Sequence, residues 1–178
     1  MRLDSNVRVL TIGHGTRPAE ELVETLMRGR AQTLIDVRRF PSSRRNPQFN
    51  QEALAQTLAD TGIGYRHVVE LGGRRTGEPG AERFGCIRTP AFRSYAARMR
   101  RPEWQEALSG ALAEPGPCFM CAETLWWRCH RRLIAELLAA RGYQVVHLIG
   151  PHEAHPHASL EEASVIEGKL YLCGELVA

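Results

Sequence analysis

Between residues 118 and 132 the chain gathers Cys118, Cys121, Glu123, Cys129 and His130 with Arg128, Arg131 and Arg132. This segment follows a short apolar run, Cys118-Phe119-Met120-Cys121. It leads into a helical pattern with Leu133, Ile134, Leu137 and Leu138 on one face. Open α/β sheets bind ligands at such strand-to-helix connections, beside the positive end of a helix dipole. Arginines at that end are unfavourable alone and point to an anionic partner. Cys129, at or just before the helix start and among arginines, is a candidate nucleophile because both features stabilise a thiolate. Glu123 shares its connection with Trp126 and Trp127, whose walls would desolvate its carboxylate for general acid or base work. A salt bridge from Glu123 to Arg128 or Arg131 is the structural alternative.

Other chemistries fit the segment less well. Zinc-binding Cys-x2-Cys pairs sit on tight turns. Cys118 and Cys121 instead flank Phe119 and Met120 in what reads as a buried strand, where residues three apart face opposite sides. A thioredoxin-like pair would need the helix to begin at the motif. The spacing from Cys121 to Arg128 is Cys-x6-Arg, one longer than the phosphate cradle of cysteine phosphatases. There is no Walker loop and no Gly-x-Gly-x-x-Gly. No metal ligand set and no cofactor is assigned, and His152, His155 and His157 are expected in a solvated proline-rich loop. Trp126 and Trp127 leave two readings open, stacking on a base or packing over the core.

The elements that must position these groups follow from periodicity. Val7 to Gly13 alternates and reads as a first strand, with Gly13-His14-Gly15-Thr16 as a turn. Pro18 suits a first helical turn, before a helix whose buried face is Leu22, Val23 and Leu26. Thr33 to Val37 is a second strand, and residues 40–47 form a loop broken by Pro41 and Pro47. Asn50 is expected to cap a helix carrying Leu54 and Leu58. Tyr65 to Val69 is a weaker third strand, followed by a long excursion from Leu71 to Thr89. Helices are expected over 91–100 and 103–113, a strand over 118–121, a helix from Cys129 to Arg141 closed by Gly142, and a strand over 145–149. A loop over 151–157 and a candidate hairpin turning at Glu167-Gly168-Lys169 end the chain. This alternation predicts one three-layer α/β domain over 1–178, Rossmann-like, with a mostly parallel sheet flanked by helices; the core spans about 7–150 and the strand order is open.

Bulk properties narrow the class. The 178 residues carry 24% charged and 43% hydrophobic positions, ordinary for a globular domain. The formal charge of +3 is too mild to imply nucleic acid by itself. No apolar run approaches the ~20 residues of a membrane helix, and Met1 to Asn6 has no signal-peptide core. A cytoplasmic protein is therefore expected. Five cysteines, an odd number, are expected to be reduced thiols rather than a disulfide framework. Lys169 is the only lysine. Arginine suits bidentate capture of phosphate or carboxylate, although genome composition could produce the same bias.

In a parallel sheet the segments after each strand converge on one edge. His14 follows the first strand, and Asp36, Arg38, Arg39, Ser42, Ser43, Arg44 and Arg45 follow or end the second. Glu70, Gly72, Gly73, Arg74 and Arg75 follow the third. The segment after Cys121 follows the fourth. These residues resemble the motifs of the family called domain of unknown function 488. The matching elements are Thr11-Ile12-Gly13-His14, Asp36-Val37-Arg38 with Pro41-Ser42, Leu71-Gly72-Gly73-Arg74, Phe92-Arg93-Ser94-Tyr95-Ala96, and Cys121-x-Glu123 with Cys129-His130-Arg131. They occur in the family's order from about Val7 to His147. The resemblance implies a compact α/β domain of bacterial or archaeal type and supplies no reaction.

The functional expectation is an enzyme, hydrolase or group transferase, acting on a phosphate-bearing substrate such as a nucleotide, a nucleotide derivative or nucleic acid. Its catalytic candidates are Cys129, Glu123, His14, Asp36 and Cys121, with a cap or an arginine partner as the alternative for Asp36. The anion-binding candidates are Arg38, Arg39, Ser42, Arg44, Gly72, Gly73, Arg74, Trp127, His130 and Arg131. One rival is a non-catalytic nucleic-acid or nucleotide-binding module. Another is a thiol-redox or metal-binding protein built on Cys121 and Cys129. No membrane partner is expected.

Overall fold

A computed structural model describes residues 7–178; the hexapeptide Met1 to Asn6, in which no signal-peptide core is read, lies outside the described residues. Five helices flank a six-stranded sheet. In chain order the elements are β1 (Arg8–Gly13), α1 (Ala19–Gly29), β2 (Thr33–Asp36), α2 (Gln51–Ala59), β3 (Gly64–His67), α3 (Pro90–Met99), α4 (Pro102–Leu112), β4 (Pro117–Cys121), α5 (Arg131–Ala140) and β5 (Gln144–Gly150). They continue as β6 (Glu153–Pro156), β7 (Ala163–Ile166), β8 (Lys169–Leu172) and β9 (Glu175–Leu176). The main sheet has the order β3-β2-β4-β1-β5-β6, with β7-β8-β9 as a separate antiparallel sheet. Its first five strands pair in parallel, and only β6 runs antiparallel, against β5.

β4 illustrates why the sheet forms. All five of its residues are buried, as expected of a strand covered on both faces. Cys118 and Met120 face one core, with Leu22 and Leu26 of α1 and Leu54 and Leu58 of α2. Phe119 and Cys121 face the other, with Trp104 and Leu108 of α4 and Leu133 and Leu137 of α5. Each fully buried leucine contributes about 1.5–3 kcal/mol through removal from water. The two cores show that the layers are helix, sheet, helix.

This topology fixes where a site can lie. The chain leaves β1 toward the face covered by α1 and leaves β4 toward the face covered by α5, although β1 and β4 are neighbours. Adjacent strands whose connections diverge open a crevice at their carboxyl ends. Here the ladder continues past the strands, His14 N–H donating to Cys121 O at 3.0 Å and Gly15 N–H to Ala122 O at 2.9 Å. A side chain on Gly13 would overlap the Glu123 carbonyl, so glycine is required for this approach.

Several sequence expectations are corrected. Asn50 occupies the N-cap position of α2 but does not cap it; its Oδ1 accepts the Ser43 backbone N–H at 2.6 Å and so pins the preceding loop. The helix expected from Cys129 begins at Arg131, because Cys129 is extended, with φ −135° and ψ 171°. The proline-histidine segment is solvated over residues 152–156 but is not a loop. Its middle pairs with β5, and the His157 side chain, 3% exposed, is held between His147 and Glu136. The all-thiol expectation fails at one pair, since Cys86 and Cys173 form a disulfide. They are 87 positions apart in the chain, and the tail sheet brings Cys173 back to the excursion before α3, a contact no local pattern signals. Among the described residues no helix is long and apolar enough to cross a membrane.

Candidate active site

A cleft of about 710 Å³ opens at the carboxyl ends of β1, β2 and β4. His14, Arg38, Arg39, Ser42, Gly73, Arg74, Cys121, Glu123, Cys129 and His130, all singled out in the sequence, line it together. Five anticipated residues stand elsewhere. Asp36 is fully buried behind the cleft, where Arg38 neutralises it, so it is not placed as a proton carrier. Arg44 is exposed outside the cleft and Arg45 takes its place, a shift of one residue in the turn. Gly72 packs against the backbone of Arg39. Trp127 is 43% exposed and meets Trp126 edge-on at 5.6 Å, away from the cleft. Arg131 is fully buried beneath it.

The floor is a pair of thiols. Cys121 closes β4 and Cys129 precedes α5, with their Sγ atoms 2.8 Å apart. Burial pushes the Cys121 thiol well above its ordinary value, as does its hydrogen bond to Cys129. Burial also acts upward on Cys129. The bond from Cys121, the Arg131 charge and the Arg131 backbone N–H outweigh it and leave Cys129 below the ordinary thiol range. The negative charge therefore belongs on Cys129, at the start of α5. Arg131 donates Nη2 to the carbonyls of Glu123 and Thr124 at 2.9 and 3.1 Å. Its Nε and Nη1 are buried with no hydrogen-bond partner among the described residues. A buried guanidinium left uncompensated costs several kcal/mol; the groups beside it that favour its charge are the sulfurs of Cys121 and Cys129. Cys129 retains 8% exposure, on the cleft side.

The two histidines brace the walls. His14 Nδ1 donates to the Gly15 carbonyl at 2.8 Å, which leaves Nε2 to accept Arg38 Nη1 at 3.3 Å. Burial, assisted by the Arg38 charge, lowers its pKa to about 4, and the ring stacks on Phe49 at 4.5 Å. His130 Nε2 donates to the Val37 carbonyl at 3.1 Å, and burial lowers its pKa to about 4 as well. A side chain on Gly73 would overlap the His130 ring, so this glycine lets the turn after β3 close on α5. Tyr95 completes the brace by donating its hydroxyl to the Leu71 carbonyl at 2.7 Å while its ring lies 4.9 Å from His130. Burial thus favours the neutral form of both rings, each with one nitrogen engaged by a backbone carbonyl.

The rim is cationic. Arg39, Arg45, Arg74 and Arg128 line the cleft without ion-pair partners among the described residues, and Glu123 is the only carboxylate beside them. Arg74 holds a left-handed backbone, φ +53°, which costs a residue with a side chain about 1–2 kcal/mol. Glu123 is exposed, and the aromatic walls expected around it are absent. Trp126 instead lies flat on His147, centroids 4.3 Å apart, and is mostly buried. The aromatic groups at the cleft are Phe40 and Phe92, with the Arg39 guanidinium 5.0 Å above the Phe40 ring. Sequence reasoning brings Arg45 to this edge without counting it among the anion-binding candidates, and misses Phe40 and Asn46, whose placement depends on the shape of the 40–47 loop. Phe92 was signalled by the Phe-Arg-Ser-Tyr-Ala motif, which was read only for resemblance.

A family model described as "Domain of unknown function DUF488" matches residues 18–138. No curated protein and no solved structure matches the chain.

Proposed function

The chain belongs to the DUF488 family, and on that footing we propose that the cleft is the active site of a thiolate enzyme, a hydrolase or group transferase acting on a phosphate-bearing substrate. One observation carries the reading: the Cys129 sulfur, backed by Cys121 and the buried Arg131, lies at the floor of a cleft rimmed by unpaired arginines. Arginines without carboxylate partners favour an oxyanion, and phosphate accepts their forked donors well. The volume fits a nucleotide-sized ligand. Phe40 and Phe92 on the lips supply faces for a base, the role that Trp127 is too remote to take.

In this reading Arg39, Arg45, Arg74 and Arg128 hold the phosphate, and Ser42 adds a hydroxyl donor. Cys129 attacks the electrophilic centre of the bound substrate, and the leaving group departs with the electron pair of the broken bond. Glu123 is the one cleft carboxylate available to handle the proton of that group and then of the water or acceptor that releases the product. His14 and Asp36 act through Arg38, as positioning residues. Cys121 donates its S–H to hold the nucleophile as an anion.

A non-catalytic nucleotide or nucleic-acid binding module is favoured by the rim alone, because those arginines need no thiol. Thermal shift of the reduced protein against phosphate, pyrophosphate, nucleotides and short DNA tests both readings. Stabilisation by nucleotides, with Cys129 protected from alkylation, supports the enzyme. Stabilisation by oligonucleotides alone, steeply lost with salt, supports the module. No shift with any of them overturns both.

A further inference from the structure

We infer that Cys121 and Cys129 close into a reversible disulfide when a hydroperoxide enters the cleft, so that the site is also a peroxide-modified dithiol whose oxidised form lacks its nucleophile. The inference rests on the Cys129 thiolate of the proposed function and not on the phosphate. The sulfurs stand 2.8 Å apart, so bond formation requires an approach of about 0.8 Å. Cys121 is the last residue of β4, held in register with Gly13, whereas Cys129 is an extended residue before α5, outside both helix and strand, so the approach can come from the Cys129 side. Cys118, the third free cysteine, lies in the core on the opposite face of β4 and cannot compete.

The chemistry balances with a hydroperoxide as oxidant. The Cys129 thiolate attacks the terminal peroxide oxygen, a sulfur–oxygen bond forms, the oxygen–oxygen bond breaks, and the remaining oxygen leaves as hydroxide or alkoxide. Cys121 then attacks the sulfenic sulfur, the sulfur–sulfur bond forms and hydroxide departs. The thiol proton of Cys121 and one proton from solvent neutralise the two departing oxygens. The pair of sulfurs loses two electrons and the peroxide gains them. Contact between the two sulfurs favours bridging over further oxidation of the sulfenic acid. The bridge also deprives Arg131 of its neighbouring anion, which biases the pair toward the reduced state and makes the bridge easy to reopen with a dithiol.

The test uses the full chain, first reduced and then exposed to hydrogen peroxide, with remaining thiols blocked by iodoacetamide. Trypsin cleaves after Arg128, so a bridge would link two peptides and fragment ions would assign the sulfurs. The expected product joins Cys121 to Cys129, weighs less than the two peptides by two hydrogens, and disappears with dithiothreitol. In Cys121→Ser the link is lost and dimedone captures Cys129 as its sulfenic acid. Cys129 still fully alkylated after peroxide, or oxidised to sulfinic acid without a link, would overturn the inference. Wild-type mapping decides the matter if the variant folds poorly. Nucleotide thermal shift on the reduced protein is read separately, so a shift without a bridge sinks only this inference, and a bridge without a shift sinks only the phosphate.

Discussion

Arg38 wraps the carboxylate of Asp36, its Nε donating to both oxygens at 2.9 and 3.1 Å and its Nη2 to Oδ2 at 2.6 Å, with both side chains buried. Tyr65 adds its hydroxyl to Oδ2 at 2.7 Å. Removing one partner of such a pair leaves an uncompensated buried charge, which costs about 3–5 kcal/mol. Asp36→Asn is therefore expected to lose stability on that order in urea denaturation. A variant of wild-type stability that lost only turnover would instead make Asp36 a proton carrier.

The rim should be separable from the fold. Arg45→Ala and Arg128→Ala are each expected to weaken pyrophosphate binding about tenfold, near 1.4 kcal/mol, with unchanged melting temperature. Arg44→Ala, outside the cleft, should leave the affinity unchanged. Equal effects from Arg44 and Arg45 in titration calorimetry would contradict the placement of the loop.

Arg74 trades backbone strain for a charge at the rim. Arg74→Gly removes a side chain from a residue at φ +53°. It is expected to gain about 1 kcal/mol in stability while losing anion affinity. Lower stability in chemical denaturation would show that the conformation is not the strained part.

Acid should unfold the protein through His14 and His130. Both have folded pKa values near 4, against about 6.5 when unfolded. The unfolded state thus takes up protons first. The contribution of each is complete above about pH 6.5 and is lost as the pH falls from there toward 4. At pH 5 each accounts for about 2 kcal/mol. Urea midpoints at pH 7, 6 and 5 check this, and a flat profile would contradict the buried neutral state of both rings.

Much of the architecture is legible in the chain because the alternation of β-branched runs with amphipathic segments is local. Parallel strands then force His14, the loop after Asp36, Gly73 and the Cys121 segment onto one edge, whatever the strand order. The order itself was not legible, because β4 enters between β2 and β1 through pairing at long range. Arg131 shows the same limit. Its charge and its place at a helix start suggested a ligand, whereas packing turns it inward against two sulfurs. The Cys86–Cys173 disulfide and the pairing of β6 also depend on chain returning from a distance. Arg45 rather than Arg44 faces the cleft for a reason finer than periodicity, the turn held by Asn50 on Ser43.

The central claim is that Cys129 is a thiolate beneath an anion site, and its alkylation by iodoacetamide across pH, with and without pyrophosphate, tests both halves together. Mass spectrometry of the reduced protein should give a midpoint at about 7, with labelling at neutral pH slowed by pyrophosphate. A midpoint at the ordinary thiol value of about 8.5, with no protection by the anion, would contradict the account.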